Sequence, residues 1–407
     1  MNVETIILRD AIPDNAKIID SRFRDYRLRF NDEIIIHSSP STGPFGLYEN
    51  DVFYQFEKEP KPDQQIRQPN FVDPWIMIKS IPNAKIVNKN TIISQENMIL
   101  IGLQYHYVTP LVKPENMSHV EIDHYLNSNS KPEIFVPVAK ETETLSEVFF
   151  LGGTDNFGHW IFEFLPKLIW YKKYLFNLGS HIPILVGDDV PDRWLESGEA
   201  LGIPKENFLR VNLGKTFNVE KLYICGASVS KDIKEEFNQV RIDDISELRV
   251  VYRNYYKLNL LPKSTDVLIE TRQNARWRKI QNEQLILQRM EKELNLKVEK
   301  FIPEQMSFKE QLEKIQSTKM FIGTGASLPI SYFMSKDSVL CEVRHTTGRG
   351  MATNIGSRIF RIPYYRPATT VTETNTGSNI MDADLIIDED DFFKKMEFLV
   401  KNYFLKI

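Results

Sequence analysis

The sequence predicts an α/β fold: two successive units of alternating strands and helices, preceded by a β-rich N-terminal region. Two observations carry this prediction. From residue 147 onward, apolar strand-like runs alternate with helical ones: "EVFFLGG", a helical stretch over 157–176, "IPILVG", the helical "DRWLESGEALG" and "KLYICGA". Short apolar runs separated by stretches of helical length give βαβαβ and a parallel sheet. After a charged helical segment at 231–258 and the turn "LLPKST", the alternation begins again with "DVLIETR", a helix over 281–295, "KVEKFIP", the helix "FKEQLEKIQS", "KMFIGTG", a short helix and "SVLCEV".

The boundaries that follow are 1–145 for the N-terminal region, 146–258 for the first unit and 259–407 for the second. Residues 1–145 hold β-type runs such as "KIVNKNTIIS" and "NMILIGLQYHYVTPLV", with prolines clustered between them and no chemical motif. The second unit ends on "DDFFKKMEFLVKNYF", where Phe393, Met396, Leu399 and Phe404 fall near helical spacing, as a closing helix packed on one unit requires. Two such units facing one another make a cleft, and open parallel sheets take ligands at the carboxyl ends of their strands.

Composition excludes several functions. With 42% hydrophobic and 26% charged residues the chain has the make-up of a soluble globular protein. A net charge of −4 argues against general nucleic-acid binding, which needs a basic field, so any anion site must be local. Cys225 and Cys341 are the only cysteines; they support neither a disulfide framework nor a structural zinc, and a reducing compartment fits best. The first residues lack a basic n-region and a cleavage site, and the longest charge-free apolar stretch, 320–334, is shorter than the ~20 residues of a membrane span. A cytoplasmic location is expected; peripheral contact at the inner membrane face and a homo-oligomer stay open.

Three segments carry chemistry. In "GGTDNFGHWIFEFLP" a strand ends in a Gly pair, Asp or Asn can cap a helix starting near Phe157, and His159 and Glu163 fall at i and i+4 on one face. Pro166 predicts a kink close by. A carboxylate there can take a proton from a hydroxyl, with the histidine as partner or second base; a plain surface ion pair is the alternative. "IETRQNARWRKIQNEQ" gathers Arg272, Arg276, Arg278 and Lys279 between a strand and a helix, which suits a diphosphate as well as it suits a solvated basic loop. "MFIGTGASLPISYFMSKDSVLCEVR" sets Gly323, Gly325 and Ala326 in a turn that permits close approach of a ligand. A helix from Ser327 then offers N–H groups, and Glu342 ends the next strand, where it can bind hydroxyls or pair with Arg344. "GDD" at 187–189 reads as strand then turn rather than as a metal motif.

In this order the three segments resemble glycosyltransferase family 61, the group of plant β-1,2-xylosyltransferases, extracellular O-linked N-acetylglucosamine transferases and bacterial capsular-polysaccharide proteins. The family pattern Asn-x-x-His-x-x-x-(Asp/Glu) is met by Asn156, His159 and Glu163, with Trp160 and Leu165-Pro166 as in bacterial members. Its Ser/Thr-Arg…Arg…Asn-Glu pattern is met by Thr271, Arg272, Arg278, Asn282 and Glu283, and its Gly-Ala-x-Leu…Phe…Glu pattern by Gly325, Ala326, Leu328, Phe333 and Glu342. The chain departs from the family at Thr324, where His is frequent, and at Pro329-Ile330, where Thr-Asn is.

The resemblance implies a GT-B architecture of two Rossmann-like lobes, nucleotide sugar on the C-terminal one and acceptor on the N-terminal one, and an inverting transferase with neither cofactor nor obligatory metal. An acceptor hydroxyl, deprotonated by Glu163 or His159, attacks the anomeric carbon of a nucleoside-diphosphate sugar, in the first instance a UDP-sugar. Glu163 is favoured as base, because the family allows Asp or Glu there and burial against aromatics suits a carboxyl group to proton uptake. Asn156 would hold base or acceptor. Arg272 and Arg278, with Arg276 as second choice, would neutralise the leaving diphosphate together with N–H groups after Gly325, Glu342 would bind ribose or donor hydroxyls, and Asn282, Glu283, Gly325, Ala326 and Ser327 complete the expected substrate ligands. The implied acceptor is a glycan or lipid-linked glycan of surface or capsular polysaccharide. Rival readings are a pyruvyl transferase or nucleotide-sugar epimerase on the same architecture, and a non-catalytic nucleotide- or glycan-binding homologue.

Overall fold

The computed structural model describes residues 77–88, 91–93, 99–100, 134–139, 141–154, 156–176, 182–211, 215–225, 229–231, 238–240, 242–275, 278–324, 327–344 and 383–404, together with 3–8, 33–35, 362, 364–365, 367 and 369–371. Arg276, Gly325 and Ala326 lie outside the described residues, as do His345, Arg349, Arg361 and Arg366. The described residues up to Asp244 cluster as one unit and those from Ile245 on as a second.

The first unit is built on a mixed sheet. Strands β1 (Met77–Asn88), β2 (Glu141–Gly152), β3 (Ile184–Gly187), β4 (Phe208–Val211) and β5 (Lys215–Cys225) run in the spatial order β1-β5-β2-β3-β4. The pairs β5–β2, β2–β3 and β3–β4 are parallel, whereas β1 lies antiparallel on β5. The N-terminal region therefore lends strands to the same sheet, rather than standing apart from the alternating chain. Strand β2 is exposed over its first residues and wholly buried from Val148 to Gly152, which delivers the chain into the core just before the first chemical segment.

A tight turn follows. Gly152 has φ +85°, in the left-handed region that side-chain-bearing residues avoid. At Gly153 a Cβ would come to 2.8 Å from the Cα of Gly187 and 2.9 Å from its amide nitrogen, so the end of β2 abuts the backbone of β3 directly. Backbone cannot step aside as a side chain can. Gly153→Ala is expected to lose about 2–3 kcal/mol of stability by overpacking, read as a lowered urea midpoint; a midpoint equal to wild type would mean the close approach is not a constraint.

The helical segment after this turn has three parts: α1 (Phe157–His159), a π-helical turn over Trp160–Phe164, and α2 (Leu165–Tyr174). The amide of Leu165 reaches the carbonyl of Trp160, five residues back. Pro166 explains the widened turn: it has no N–H, and its ring would press on the carbonyl four residues earlier, so the helix opens where the sequence predicts a kink. Trp160 stacks on Phe164 at 6.0 Å, and Phe157 and Trp160 both lie against Trp194, at 5.4 and 6.1 Å.

The second unit is a five-stranded, all-parallel sheet. Its strands are β6 (Thr265–Glu270), β7 (Val298–Phe301), β8 (Thr318–Gly323), β9 (Val339–Glu342) and β10 (Tyr364–Tyr365), in the order β7-β6-β8-β9-β10. The apolar, buried runs of β6, β8 and β9 suit the centre of a parallel sheet covered on both faces. Val267, Ile269, Met320, Ile322 and Cys341 pack with Ile286 and Met290 of the helix Glu283–Lys292. Phe393, Met396, Leu399 and Phe404 of the C-terminal segment are buried in the same core.

Residues 245–255, which the sequence reading assigns to the first unit, cluster with the second. Hydrogen bonds to the backbone and aromatic packing tie them there, Tyr252 lying 5.2 Å from Phe308 and 5.5 Å from Phe333. Arg249 donates through Nη1 to the Tyr332 carbonyl and through Nη2 to that of Met334 at 2.5 Å, and Arg253 donates to Met334 at 3.0 Å. Both cysteines are buried and neither is in a disulfide, and no helix among the described residues is long and apolar enough to cross a membrane.

Candidate functional site

The first group of site residues is set by the cap of α1. The Asn156 carbonyl oxygen Oδ1 accepts the amides of Gly158 at 2.9 Å and His159 at 3.3 Å, and Thr154 Oγ1 accepts the Asn156 amide at 3.0 Å. Asn156, an expected ligand of base or acceptor, thus holds the helix terminus that carries the histidine. His159 Nδ1 then lies 2.5 Å from Glu163 Oε1, a short contact suited to a charge-assisted bond.

Burial argues against the plain surface ion pair. The Glu163 side chain is 1% exposed and that of His159 21%. A solvated surface ion pair would leave the carboxylate wet, as the commoner arrangement does. From Phe157 to Tyr171 only His159 and Phe162 are even half-buried; every other residue is buried, including Lys167. The helix is therefore enclosed on nearly all sides rather than amphipathic, and its carboxylate and its lysine are internal charges.

The second group sits at the carboxyl edge of the parallel sheet in the second unit. Two of its strands end alike. Glu270 closes β6, and Arg272, two residues on, turns back to it with Nη1 3.3 Å from Oε1. Glu342 closes β9, and Arg344 turns back in the same way, Nη1 3.2 Å from Oε1. Between them β8 ends in Gly323 and Thr324. Both carboxylates are 1% exposed, whereas Arg272 and Arg344 are 17% and 14% exposed, so the cations face outward from the acids that hold them. The negative charge of Glu342 is felt nearby: burial pushes the Tyr332 phenol and the Cys341 thiol well up, and Glu342 adds to both.

The Arg-rich turn is pinned on two sides. Thr324 donates its amide to Glu270 Oε2 at 3.0 Å and its hydroxyl to the Arg278 carbonyl at 2.9 Å, where Arg278 holds the left-handed φ of +61°. Farther on, Asp384 accepts the Lys279 amide and the Gln281 side chain, both at 2.8 Å. Asn282 exchanges two hydrogen bonds with the backbone of Ile387, at 2.9 and 3.0 Å. Asn282, expected among substrate ligands, joins the turn to the strand Leu385–Ile387. Glu283, likewise expected there, is buried and accepts from Thr271 Oγ1 at 2.8 Å, while its Oε2 has no hydrogen-bond partner among the described residues. Ser327 Oγ is buried with no partner among them either.

Sequence reasoning missed Glu270 and Lys167 and gave Arg344 little weight. A signal for the first and last was present: "IETR" and "CEVR" repeat Glu-x-Arg at two strand ends. Among the described residues, no three His, Cys, Asp or Glu side chains converge as a metal site would require.

Residues 157–341 match the family model described as Glycosyltransferase 61. The match begins at the first residue of α1 and ends one residue before Glu342, so it spans His159, Glu163 and the Arg-rich turn. It supports glycosyltransferase family 61 for this part of the chain. No curated protein matches the chain.

Proposed function

We propose that the protein is an inverting glycosyltransferase that moves a sugar from a nucleoside-diphosphate donor, a UDP-sugar in the first instance, to a hydroxyl of a glycan acceptor. The observation that carries the proposal is the buried Glu163 carboxylate 2.5 Å from His159 Nδ1, within the span that matches the glycosyltransferase family. A carboxylate that accepts a hydrogen bond from Nδ1–H fixes the imidazole tautomer in which Nε2 bears the basic lone pair. His159 is then the base and Glu163 its orienting partner. The greater exposure of the histidine supports this order of roles over the reverse.

The acceptor O–H gives its proton to His159 as its oxygen bonds to the anomeric carbon. The bond from that carbon to the diphosphate oxygen breaks, and the electron pair leaves with the diphosphate. Arg272, steadied by Glu270, is assigned to the charge that gathers on this leaving group, and Arg278, Arg276 and the N–H groups after Gly325 keep their expected share in it. Arg344 is added by its likeness to Arg272. Charge neutralisation thus falls to arginines rather than to a bound metal. The two α/β units, the first on a mixed sheet and the second on a parallel one, support a GT-B assignment, acceptor chemistry on the first and nucleotide on the second. An acceptor from surface or capsular polysaccharide would place the enzyme in the cytoplasm at the inner membrane face.

Thermal unfolding in the presence of UDP-, GDP-, CMP- and dTDP-sugars tests the donor, since a ligand of the native state raises its apparent stability. A shift with one nucleotide series, followed by acceptor-dependent release of that nucleotide, is the expected result. Interconversion of the sugar without acceptor would replace the transferase by an epimerase, and binding with no transfer to any acceptor would make the protein a non-catalytic homologue.

A further inference from the structure

Lys167 stands four residues after Glu163 and is as deeply buried, at 1% exposure. His159, Glu163 and Lys167 are therefore spaced i, i+4 and i+8 on one helical segment, with Glu163 between the histidine and the lysine and both Glu163 and Lys167 on its enclosed side. The lysine ammonium lies 5.2 Å from the centroid of the Phe164 ring. The titratable groups that act on it are Cys225 at the end of β5 and, less strongly, Glu163 from its own segment, both of which favour its charge. Burial works against them and more strongly, lowering the Lys167 pKa from 10.5 to about 8.

The sign of that shift says what the residue does for stability. A base whose pKa is lower folded than unfolded makes the folded state gain stability as pH rises from about 8 to about 10.5; below that window its charge is a net cost. At neutral pH the lysine thus destabilises the fold that encloses it. Packing does not explain its place, since a methionine fills a similar volume without charge.

We propose that Lys167 is a positioning residue for the His159–Glu163 pair, a buried cation that keeps Glu163 a carboxylate turned to the imidazole. It acts through Glu163 and touches no reacting atom. The proposal rests on the pair being the proton-accepting machinery, but its first test does not.

Removing a cation raises the proton affinity of the groups beside it. In Lys167→Met the ring titration of His159, followed by nuclear magnetic resonance without substrate, moves its midpoint to higher pH by about one unit, a tenfold gain in proton affinity. Lys167→Arg, which keeps the charge, restores the wild-type midpoint. Lys167→Gln serves in place of the methionine variant should that one fail to fold. Coincident titration curves in wild type and the uncharged variants would overturn the proposal. With a transferred sugar identified, the acid limb of the kcat/KM profile follows the same shift; a merely structural lysine would lower activity and leave the limb where it was. If the titration moves while His159→Ala still transfers sugar, the coupling stands and the catalytic reading of the pair falls.

Discussion

His159→Ala lowers sugar transfer by about 10³-fold, in the range that a positioned general base contributes, and leaves UDP binding unchanged. The size follows from what the variant removes. The acceptor hydroxyl must lose its proton as it attacks, and water in place of the imidazole is a far weaker acceptor at neutral pH. Donor binding is spared because the residues assigned to the diphosphate lie on a different unit of the chain. Added imidazole should return part of the lost rate, since it brings back the base without its tether. Glu163→Gln is the companion measurement: glutamine keeps the shape but loses the negative charge, and its amide can donate to Nδ1 as well as accept from it, so the imidazole loses its fixed tautomer, and a fall of about 10²-fold or more is expected. Near-normal turnover in His159→Ala, with Glu163→Gln inactive, would return the role of base to Glu163. Near-normal turnover in both would remove the pair from the mechanism.

What the sequence made legible here was local. Asx capping, the i and i+4 spacing of His159 and Glu163 and the disturbance before Pro166 are all written within a dozen residues, and short-range sterics and hydrogen bonding decide them. Burial of the charges was not legible. Glu163 and Lys167 break the apolar pattern of the segment, and pattern reading places such residues on the wet face; only the packing of other elements around the helix makes them internal. The turn at 278–282 shows the same limit over a longer range. Its partners Asp384, Leu385 and Ile387 lie about a hundred positions onward, and nothing in "RKIQN" announces them. Likewise "KIVNKNTIIS" reads as β-type, but the antiparallel place of β1 on β5 follows from tertiary pairing alone.

Arg272→Ala is expected to weaken UDP binding by about 10- to 100-fold, the worth of a charge-assisted hydrogen bond to phosphate. The variant has a second effect that must be separated from the first. Arg272 is the cation on the buried Glu270, whose other oxygen holds the Thr324 amide, and stripping a buried carboxylate of its partner costs about 3–5 kcal/mol. A fold loosened at Glu270 would free Thr324 and with it the Arg278 carbonyl, so binding could fall without any contact between Arg272 and phosphate. Glu270→Gln combined with Arg272→Ala resolves this. The neutral amide no longer needs the cation and can still accept from Thr324, so the double variant should recover most of the stability lost in the single one. UDP affinity should stay low, because the guanidinium is still missing. Recovery of both together would mean that Arg272 serves Glu270 and not the donor, and an unchanged UDP dissociation constant in folded Arg272→Ala would remove it from the phosphate site altogether.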